Sequence, residues 1–582
     1  MIICGLKLTH DGAIAVLDNN RLVFSIEMEK LANNPRYTSI LDTAVIEKIL
    51  KDYGYSIRDI DYFSIDGWGG TDQDALALQP RLEIGANHNF LQAENNNISY
   101  QLGVAAYKER AASGNILEEL SFEGLRIGGY ELAYSSFLHV TGHVLSAYMT
   151  SPFAEAGESS YVLIWDGGMY PGLYYFDASD MKITNLGPLF LLIGNIYTIF
   201  SQHFGPFKTK GSFAKDDLSI AGKVMAYIAM GVEREELYAI FDAVMESSYD
   251  KPMGFANIFA NEFIKRIKGQ AYSDEDILCT FHLYLEQLLI KKLKKKIERF
   301  DFGNRNLCMA GGCALNIKWN SAVRNNGFFS KVYVPPFPND SGSAIGAACA
   351  KLLNLTGIRS LLWNVYSGPA IRESPLQEGW EQRPCSPEEL ALLLYHTNEP
   401  LVFLNEQAEL GPRALGNRSI LASPGSPYMK DILNKIKDRE PYRPVSPICM
   451  EEKAASIFEP GIKDPFMLFD HTIRPDWVEK IPAVMHLDGS SRLQTVNRQD
   501  NRIVYELLAA YEQLSGIPLL CNTSANLKGS GFFPDAYSAA TWGQVNYIWC
   551  NHILYEKTEK ISFENFKNLG QAIQQSQYTP AV

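Results

Sequence analysis

The sequence predicts two mixed α/β domains in one chain, the first of them internally duplicated. Three observations predict this. At 582 residues the chain is about three to five times an ordinary domain in length, too long for a single core. Hydrophobic residues at 46% and charged residues at 20% match globular usage, which excludes collagen-like, coiled-coil and disordered chains. One order of strands and turns occurs twice before residue 190.

The first copy reads IICGLKL, THDG, AIAVLD, NN, RLVFSIE: three apolar runs of strand length joined by hairpin turns, a three-stranded meander. The second reads SYVLIW, DGGMYP, GLYYFDA, SD, MKITNLG (Ser160–Gly187), again with an Asp-Gly turn after its first strand. Two halves that each carry a meander and helices describe the actin/hexokinase-like architecture, in which nucleotide phosphates lie between the turns of the halves. NLCMAGGCALN (Asn306–Asn316) then gives a buried strand running into a Gly-Gly turn and a helix, where backbone can approach a phosphate or adenosine closely. KVYVPPFPNDSGSAIGAACAKLL (Lys331–Leu353) gives a strand, a Pro-rich turn, and Asp340 and Ser341 at the start of a small-residue helix. The regular pattern fades between Leu355 and Glu388, which places the domains at residues 1–358 and 359–582.

A net charge of −13 disfavours a general nucleic-acid binder, because phosphate contacts dominate that affinity. Nine cysteines without a CxxC pair fit reduced thiols and a cytoplasmic setting. MIICGLKLTHDG lacks a signal-type basic head and apolar stretch. The most apolar stretch, Leu186–Phe200, is too short and too interrupted to span a bilayer, so no membrane partner is expected. The basic run Lys291–Lys296 reads as the solvated face of a helix.

His139 and His143 are spaced i, i+4, which puts both imidazoles on one helix face, with small Gly142 and Ser146 leaving room. A metal pair and two hydrogen-bonded histidines both fit that spacing. Asp166 and Asp340 sit at turns expected to face the same cleft and complete a His-His-Asp-Asp set. Mixed imidazole and carboxylate ligands suit a divalent ion, Fe(II) first, then Mn(II), Zn(II) or Co(II), rather than Ca(II). His10 and Asp11 occupy the first meander turn, where an imidazole serves either as a general base or as a turn-stabilising group. Lys223 follows a glycine at the start of an apolar helix, as a phosphate-contacting or an ordinary helix-start lysine.

The second domain concentrates cations. Between Gly411 and Pro447 seven Lys or Arg face three Asp or Glu, a local +4 within an acidic chain. GPRALGNRSILASP carries Arg413 and Arg418 beside glycines, and guanidinium forks match phosphate or carboxylate geometry. An amphipathic helix, MKDILNKIK, and then DREPYRP follow, with Lys435, Lys437 and Arg443. HLDGSSRLQTV adds Arg492, and IPLLCNTSANLKGSGFF is a buried strand entering an amide-rich turn with Asn522, Thr523, Ser524 and Asn526. Exposed salt bridges are the competing explanation for these cations.

In this order, THDGA, HxxxH, WDGG, AGKVM, MAGGCALN, PNDSGSAIGAA, GPRALGNRS, NKIKDREPYRP, DGSSRLQTV and CNTSAN resemble the nodulation-type and antibiotic-tailoring O-carbamoyltransferases over nearly the whole chain. The resemblance implies an actin-like domain fused to a YrdC-like domain. It implies two steps: carbamoyl phosphate and Mg-ATP give carbamoyl adenylate in the second domain, and a hydroxylated small-molecule acceptor takes the carbamoyl group in the first, with the domains sharing a channel. It further implies that the adenylate is held by the metal and by Gly167, Gly168, Gly311 and Gly312, with Lys223 and Asn316 beside them, and that His10 is the base. By position, Arg413, Arg418, Lys435, Lys437, Arg443, Arg492, Asn522 and Asn526 match the family's anion-binding part. The chain reads NTSANLKGSGFF where many members read NTSFN followed by Gly-Glu-Pro, a departure that resembles the antibiotic-tailoring subgroup and points to a natural-product acceptor. A homodimer is one assembly this family reading allows. The competing readings are an actin-like small-molecule kinase or ATPase, and a tRNA-modifying protein of the threonylcarbamoyl type.

Overall fold

The computed structural model describes residues 1–67, 90–95, 98–105, 115–211, 213–215, 217–246, 255–375 and 377–563. Contacts divide the chain into two compact units. The first comprises Met1–Met28, Tyr37–Ser367 and Leu410–Pro412, and the second comprises Glu29–Arg36, Gly368–Glu409 and Arg413–Val582.

In the first unit the expected meander forms from β1 (Ile2–Lys7), β2 (Ala13–Asp18) and β3 (Arg21–Glu27), paired antiparallel in that order. β4 (Tyr62–Asp66) then adds parallel to β1, with Cys4 opposite Phe63. A hairpin of β5 (Phe90–Asn95) and β6 (Ile98–Gly103) stands apart as its own two-stranded sheet. β7 (Leu120–Ile127) and β8 (Tyr130–Phe137) complete a six-stranded sheet of order β3-β2-β1-β4-β8-β7. The second copy forms β9 (Ser160–Ile164), β10 (Gly172–Asp177) and β11 (Lys182–Pro188), again a meander, followed by parallel β12 (Asn306–Ala310) and β13 (Lys331–Tyr333), in the order β11-β10-β9-β12-β13. Each half thus places its first strand centrally and adds a parallel strand on the far side, and this shared order establishes the duplication.

Between the two sheets lie helices His139–Met149 and Ser343–Thr356, which are buried almost throughout. Their small residues allow backbone contact: a Cβ added at Gly346 would stand 1.9 Å from the carbonyl oxygen of Gly142. The core around them is aliphatic and aromatic, with Val144, Leu145, Tyr148, Phe176, Ile345 and Leu352 all buried. Close packing brings the N-terminus of each helix against the strand ends, and those ends carry the charged residues of the site.

In the second unit β14 (Trp380–Pro384), β15 (Leu401–Leu404), β16 (Arg418–Ala422) and β17 (Ser446–Met450) join a mixed eight-stranded sheet, while β18 (Phe458–Glu459), β19 (His471–Ile473) and β20 (Ser490–Ser491) form a small separate one. β21 (Gln494–Val496), β22 (Leu519–Ser524), β23 (Tyr547–Cys550) and β24 (Ile553–Lys557) complete the large sheet in the order β14-β24-β23-β15-β16-β22-β17-β21. Helices Pro387–Thr397 and Arg502–Ser515 cover it through Leu390, Leu394, Leu507 and Leu508. The amphipathic helix is observed at Met429–Ile436, burying Met429, Ile432, Leu433 and Ile436. None of the nine cysteines is in a disulfide. No helix among the described residues is long and apolar enough to cross a membrane.

Candidate functional site

Strand ends and one helix face build the cluster in the first unit. Ligand-type atoms of His139, His143, Asp166 and Asp340 all lie within 4.8 Å of one another. The two histidines sit one turn apart on a buried helix, so their rings meet edge to face with centroids 4.6 Å apart. Asp340 opens the short turn before the Ser343–Thr356 helix, and its Oδ1 is 3.3 Å from the Nε2 atoms of both His139 and His143. Asp166 follows β9, where its Oδ1 accepts from the Gly312 backbone N–H.

Two residues that the sequence did not single out support this set. Asp66, ending β4, accepts at Oδ2 from His139 Nδ1 at 2.8 Å. A carboxylate can only accept, so Nδ1 is the donor of His139 in this contact, and Nε2 is the ring nitrogen turned to the cluster, where a bound cation would take the place of its proton. Lys7, ending β1, is buried and lies 3.0 Å from Asp66 Oδ2 and 2.9 Å from Asp340 Oδ2. Burial disfavours the Lys7 charge, but Asp340 and Asp66 outweigh it and raise its pKa. Burial likewise opposes protonation of His139, yet Asp66 and Asp340 raise its pKa to about 10. For Asp340 burial is overcome by Lys7 and His139, which hold the carboxyl well below its usual range.

These residues fit a divalent ion. His143 Nδ1 makes no hydrogen bond among the described residues, although the side chain is fully buried, and the set offers two imidazoles from one helix and two carboxylates from two separate turns. His10 Nδ1 lies 3.3 Å from Asp340 Oδ2, and with its side chain 26% exposed it is the one of the three imidazoles that solvent reaches. Burial lowers its pKa, opposed by Asp340 and reinforced by Lys7. Asp11 occupies a left-handed turn at φ 55° and donates its backbone N–H to Tyr37 O.

The Gly-Gly turn acts differently from expectation. Gly311 donates its N–H to Pro338 O and Gly312 donates to Asp166, so both donors are committed within the protein and the turn positions Asp166. Asn316, expected beside the adenylate, caps the helix that follows it, its Oδ1 accepting from the Lys318 and Trp319 backbone N–H groups. A Cβ at Gly167 or Gly168 would meet nothing within 4 Å, so these two border open space. Lys223 lies in the Ala221–Tyr227 helix, partly exposed.

In the second unit a group of cations gathers. Arg439 donates to Thr523 Oγ1 at 2.9 Å and to Ser524 Oγ at 3.3 Å, and Arg492 donates to Ser446 Oγ at 2.9 Å. Arg36, from the Glu29–Arg36 segment, places Nε 3.4 Å from Ser530 O. Burial pushes the Arg439 pKa down to about 9, and Arg443, Arg36 and Arg413 push the same way against Glu440. Burial holds Arg492 well below its usual value, with Arg413, Arg439 and Arg443 adding to the effect and Asp464 opposing it. Burial lowers Arg443 too, Glu440 opposing and Arg36 adding. Like charges held together in a desolvated place are costly without an anion between them. Sequence reasoning missed Arg36, which is separated from the other cations by most of the chain. It passed over Arg439, whose place in DREPYRP was the available signal.

Five of the eight expected anion contacts of this unit are placed differently in the structure. Arg418 is buried and donates to the carbonyls of Asn405, Asn417, Pro369 and Glu406 at 2.7 to 3.0 Å, which makes it a brace of the loop. Asn522 gives both amide protons to Ala414 O and Gln494 Oε1. Asn526 gives its own to Leu527 O and Ser530 O. Lys435 is exposed in the last turn of the Met429–Ile436 helix. Burial holds the Lys437 pKa well below its usual value, with Arg439, Arg36 and Arg443 adding to the effect, and its amine donates to Ser524 O, Asn526 O and Asn526 Oδ1. Arg413, Arg443 and Arg492 remain in the cationic group. A further missed residue, Glu409, is fully buried and gathers the backbone N–H groups of Leu415, Asn417 and Arg418 on Oε1, which shapes the GPRALGNRS loop.

A duplicated α/β unit with a His-His-Asp-Asp cluster, followed by an α/β unit with a group of cations, has the two-part build of an enzyme. The family model described as "Carbamoyltransferase N-terminus" matches residues 2–349, and that described as "Carbamoyltransferase C-terminus" matches residues 394–557. "Nodulation protein U" of Rhizobium tropici is 48% identical over 575 residues, 96% of each chain. "3'-hydroxymethylcephem-O-carbamoyltransferase" of Amycolatopsis lactamdurans is 31% identical over 541 residues, 91% of this chain and 94% of the relative. A ROK hexokinase from Thermus thermophilus aligns over 60% of this chain and 99% of its own, at 15% identity and a TM-score of 0.26, too slight a likeness to bear on the fold. The chain belongs to the O-carbamoyltransferase family and is an O-carbamoyltransferase. Its higher identity to the nodulation protein than to the cephem enzyme runs against the subgroup suggested by NTSANLKGSGFF.

Proposed function

We propose that the protein carbamoylates a hydroxyl of a small molecule in two steps, using carbamoyl phosphate and ATP. The observation that carries this reading is the cationic group of Arg36, Arg413, Arg439, Arg443 and Arg492, whose mutual repulsion in a desolvated site calls for a multiply charged anion. Carbamoyl phosphate and the triphosphate of ATP both have that charge. In the second unit, water releases phosphate from carbamoyl phosphate, leaving carbamate. A carbamate oxygen then attacks the α-phosphorus of ATP, the P–O bond to the β-phosphate breaks, and pyrophosphate leaves. The arginines would carry the charge that builds on the phosphates, at no cost in reorganisation because Ser446, Thr523 and Ser524 already orient Arg492 and Arg439.

Transfer belongs to the first unit in this reading. His139, His143, Asp166 and Asp340 would hold a divalent ion, with Fe(II) preferred and Mn(II), Zn(II) or Co(II) compatible, which supplies positive charge for the adenylate phosphate. Gly167 and Gly168 leave space for a nucleotide beside Asp166. The acceptor O–H attacks the carbamoyl carbon, the new O–C bond forms as the bond to AMP breaks, and His10 takes the proton. Asp340 lies against His10 Nδ1, so Nε2 is the atom that accepts it.

The deciding experiment measures pyrophosphate released from ATP by purified, metal-replete protein without acceptor, with and without carbamoyl phosphate. Release that depends on carbamoyl phosphate supports the adenylate route and reduces the acceptor problem to screening alcohols by product mass. Absence of that dependence sinks the route and favours phosphoryl transfer, which the mass of a phosphorylated product would reveal. Tight, salt-sensitive RNA binding would favour the tRNA reading instead.

A further inference from the structure

The buried pair Lys7 and Asp66 sits behind the cluster, and the geometry points to a role that goes beyond holding β1 to β4. Lys7 Nζ lies between Asp66 Oδ2 and Asp340 Oδ2, at 3.0 and 2.9 Å, with all three side chains buried. Asp340 is therefore divided: Oδ2 faces Lys7 and His10, while Oδ1 faces His139 and His143. Asp66 in turn fixes the ring of His139 by accepting from Nδ1. A Cβ at Gly142 would stand 2.8 Å from Asp66 Oδ1, so the helix leaves room for this carboxylate only because residue 142 is glycine.

The charges also add to a definite value. With an ion in place of the imidazole protons, both histidines are neutral, Asp66, Asp166 and Asp340 contribute three negative charges and Lys7 one positive, a sum that a divalent ion brings to zero. Without Lys7 the sum matches a trivalent ion, and without the Asp66 charge it matches a monovalent one. In a desolvated place such a mismatch of one unit is large.

We propose that Lys7 and Asp66 are positioning residues that tune the cluster to divalent ions, Lys7 by occupying Asp340 Oδ2 and balancing one carboxylate, Asp66 by setting the His139 tautomer. This rests on the reading of the four-residue cluster as a metal centre.

The test is metal binding by the full chain stripped of metal, with Co(II) followed by its visible absorption and Ga(III) supplied from citrate. The quantity read is the ratio of Ga(III) to Co(II) affinity. Lys7→Met is expected to raise that ratio by about 10- to 100-fold and Asp66→Asn to lower it by a similar factor, while the double variant returns to within about threefold of the parent. Asp66→Asn should also weaken Co(II) by about 10- to 100-fold. Should Lys7→Met fail to fold, Asp66→Asn and the double variant differ only at Lys7 and give the same comparison. Ratios that stay within about threefold in all variants, while the parent binds Co(II) normally, overturn this inference and leave the metal centre standing. A parent that binds neither ion overturns the metal centre and the inference with it. A purely structural role for the pair would lower the thermal stability of the variants without reversing the ratio between Lys7→Met and Asp66→Asn.

Discussion

The two charged regions of this protein are built on opposite plans. In the first unit Lys7, Asp66, Asp340 and His139 pair acceptors with donors within 3.3 Å, so the carboxylates are balanced in large part by the protein itself and the remainder matches a divalent ion. In the second unit Arg36, Arg413, Arg439, Arg443 and Arg492 share one sign, and burial together with the neighbouring guanidinium groups lowers the pKa of Arg439, Arg443 and Arg492. A balanced cluster holds its shape before anything binds, which suits a site that must present a few ligand atoms at fixed positions. An unbalanced one stores repulsion that a ligand relieves, which suits capture of an anion that is consumed and replaced each turnover.

The comparison breaks most readily at its two centres. Arg439→Ala should reduce carbamoyl-phosphate-dependent pyrophosphate release by about 100- to 1000-fold, and at the same time raise the melting temperature of the ligand-free protein, since one of the repelling charges is gone. A fall in both would mean that Arg439 is held in place for stability. His143→Ala should abolish stoichiometric metal by elemental analysis and cut carbamoyl transfer by about 100-fold or more, with pyrophosphate release retained. If pyrophosphate release fails and transfer from supplied adenylate survives, the division of labour is reversed.

Next in size is Arg418→Met. Four buried carbonyls lose their donor, and the expected loss of about 3 kcal/mol or more should appear as a lower denaturant midpoint. A midpoint equal to the parent's, with pyrophosphate release lost, would return Arg418 to the anion site. Smallest is Asn316→Ala, expected to cost about 1 kcal/mol through the lost cap, with the KM for ATP unchanged. A raised KM at parental stability would restore Asn316 as a nucleotide contact. In ligand-free protein, millimolar pyrophosphate should raise the melting temperature of the parent more than that of Arg439→Ala, which sharpens the contrast between the two centres.

Much of this was legible in the chain. Period-2 apolar runs and Asp-Gly or Asn-Asn turns are local signals, and β1 to β3 and β9 to β11 form where those signals stand. The i, i+4 spacing of His139 and His143 is also local, and the helix places both rings together. Charged residues in the cationic segment were countable, but a count does not tell which guanidinium faces the ligand. Arg418 and Arg413 stand five residues apart in one glycine-rich loop, yet the first donates to four carbonyls of its own fold while the second joins the repelling group.

By itself the sequence determined the class of fold, the duplicated order of strands, the His-His-Asp-Asp set and the cationic character of the second domain, because each depends on short-range periodicity or composition. Tertiary structure alone decided which charges meet. Lys7 and Asp66 come together because β1 and β4 pair in parallel, and Arg36 reaches Ser530 because residues 29–36 fold with the second unit. Coulomb energy and desolvation depend on distance in space and on burial, and neither quantity is written in the spacing of residues along a chain.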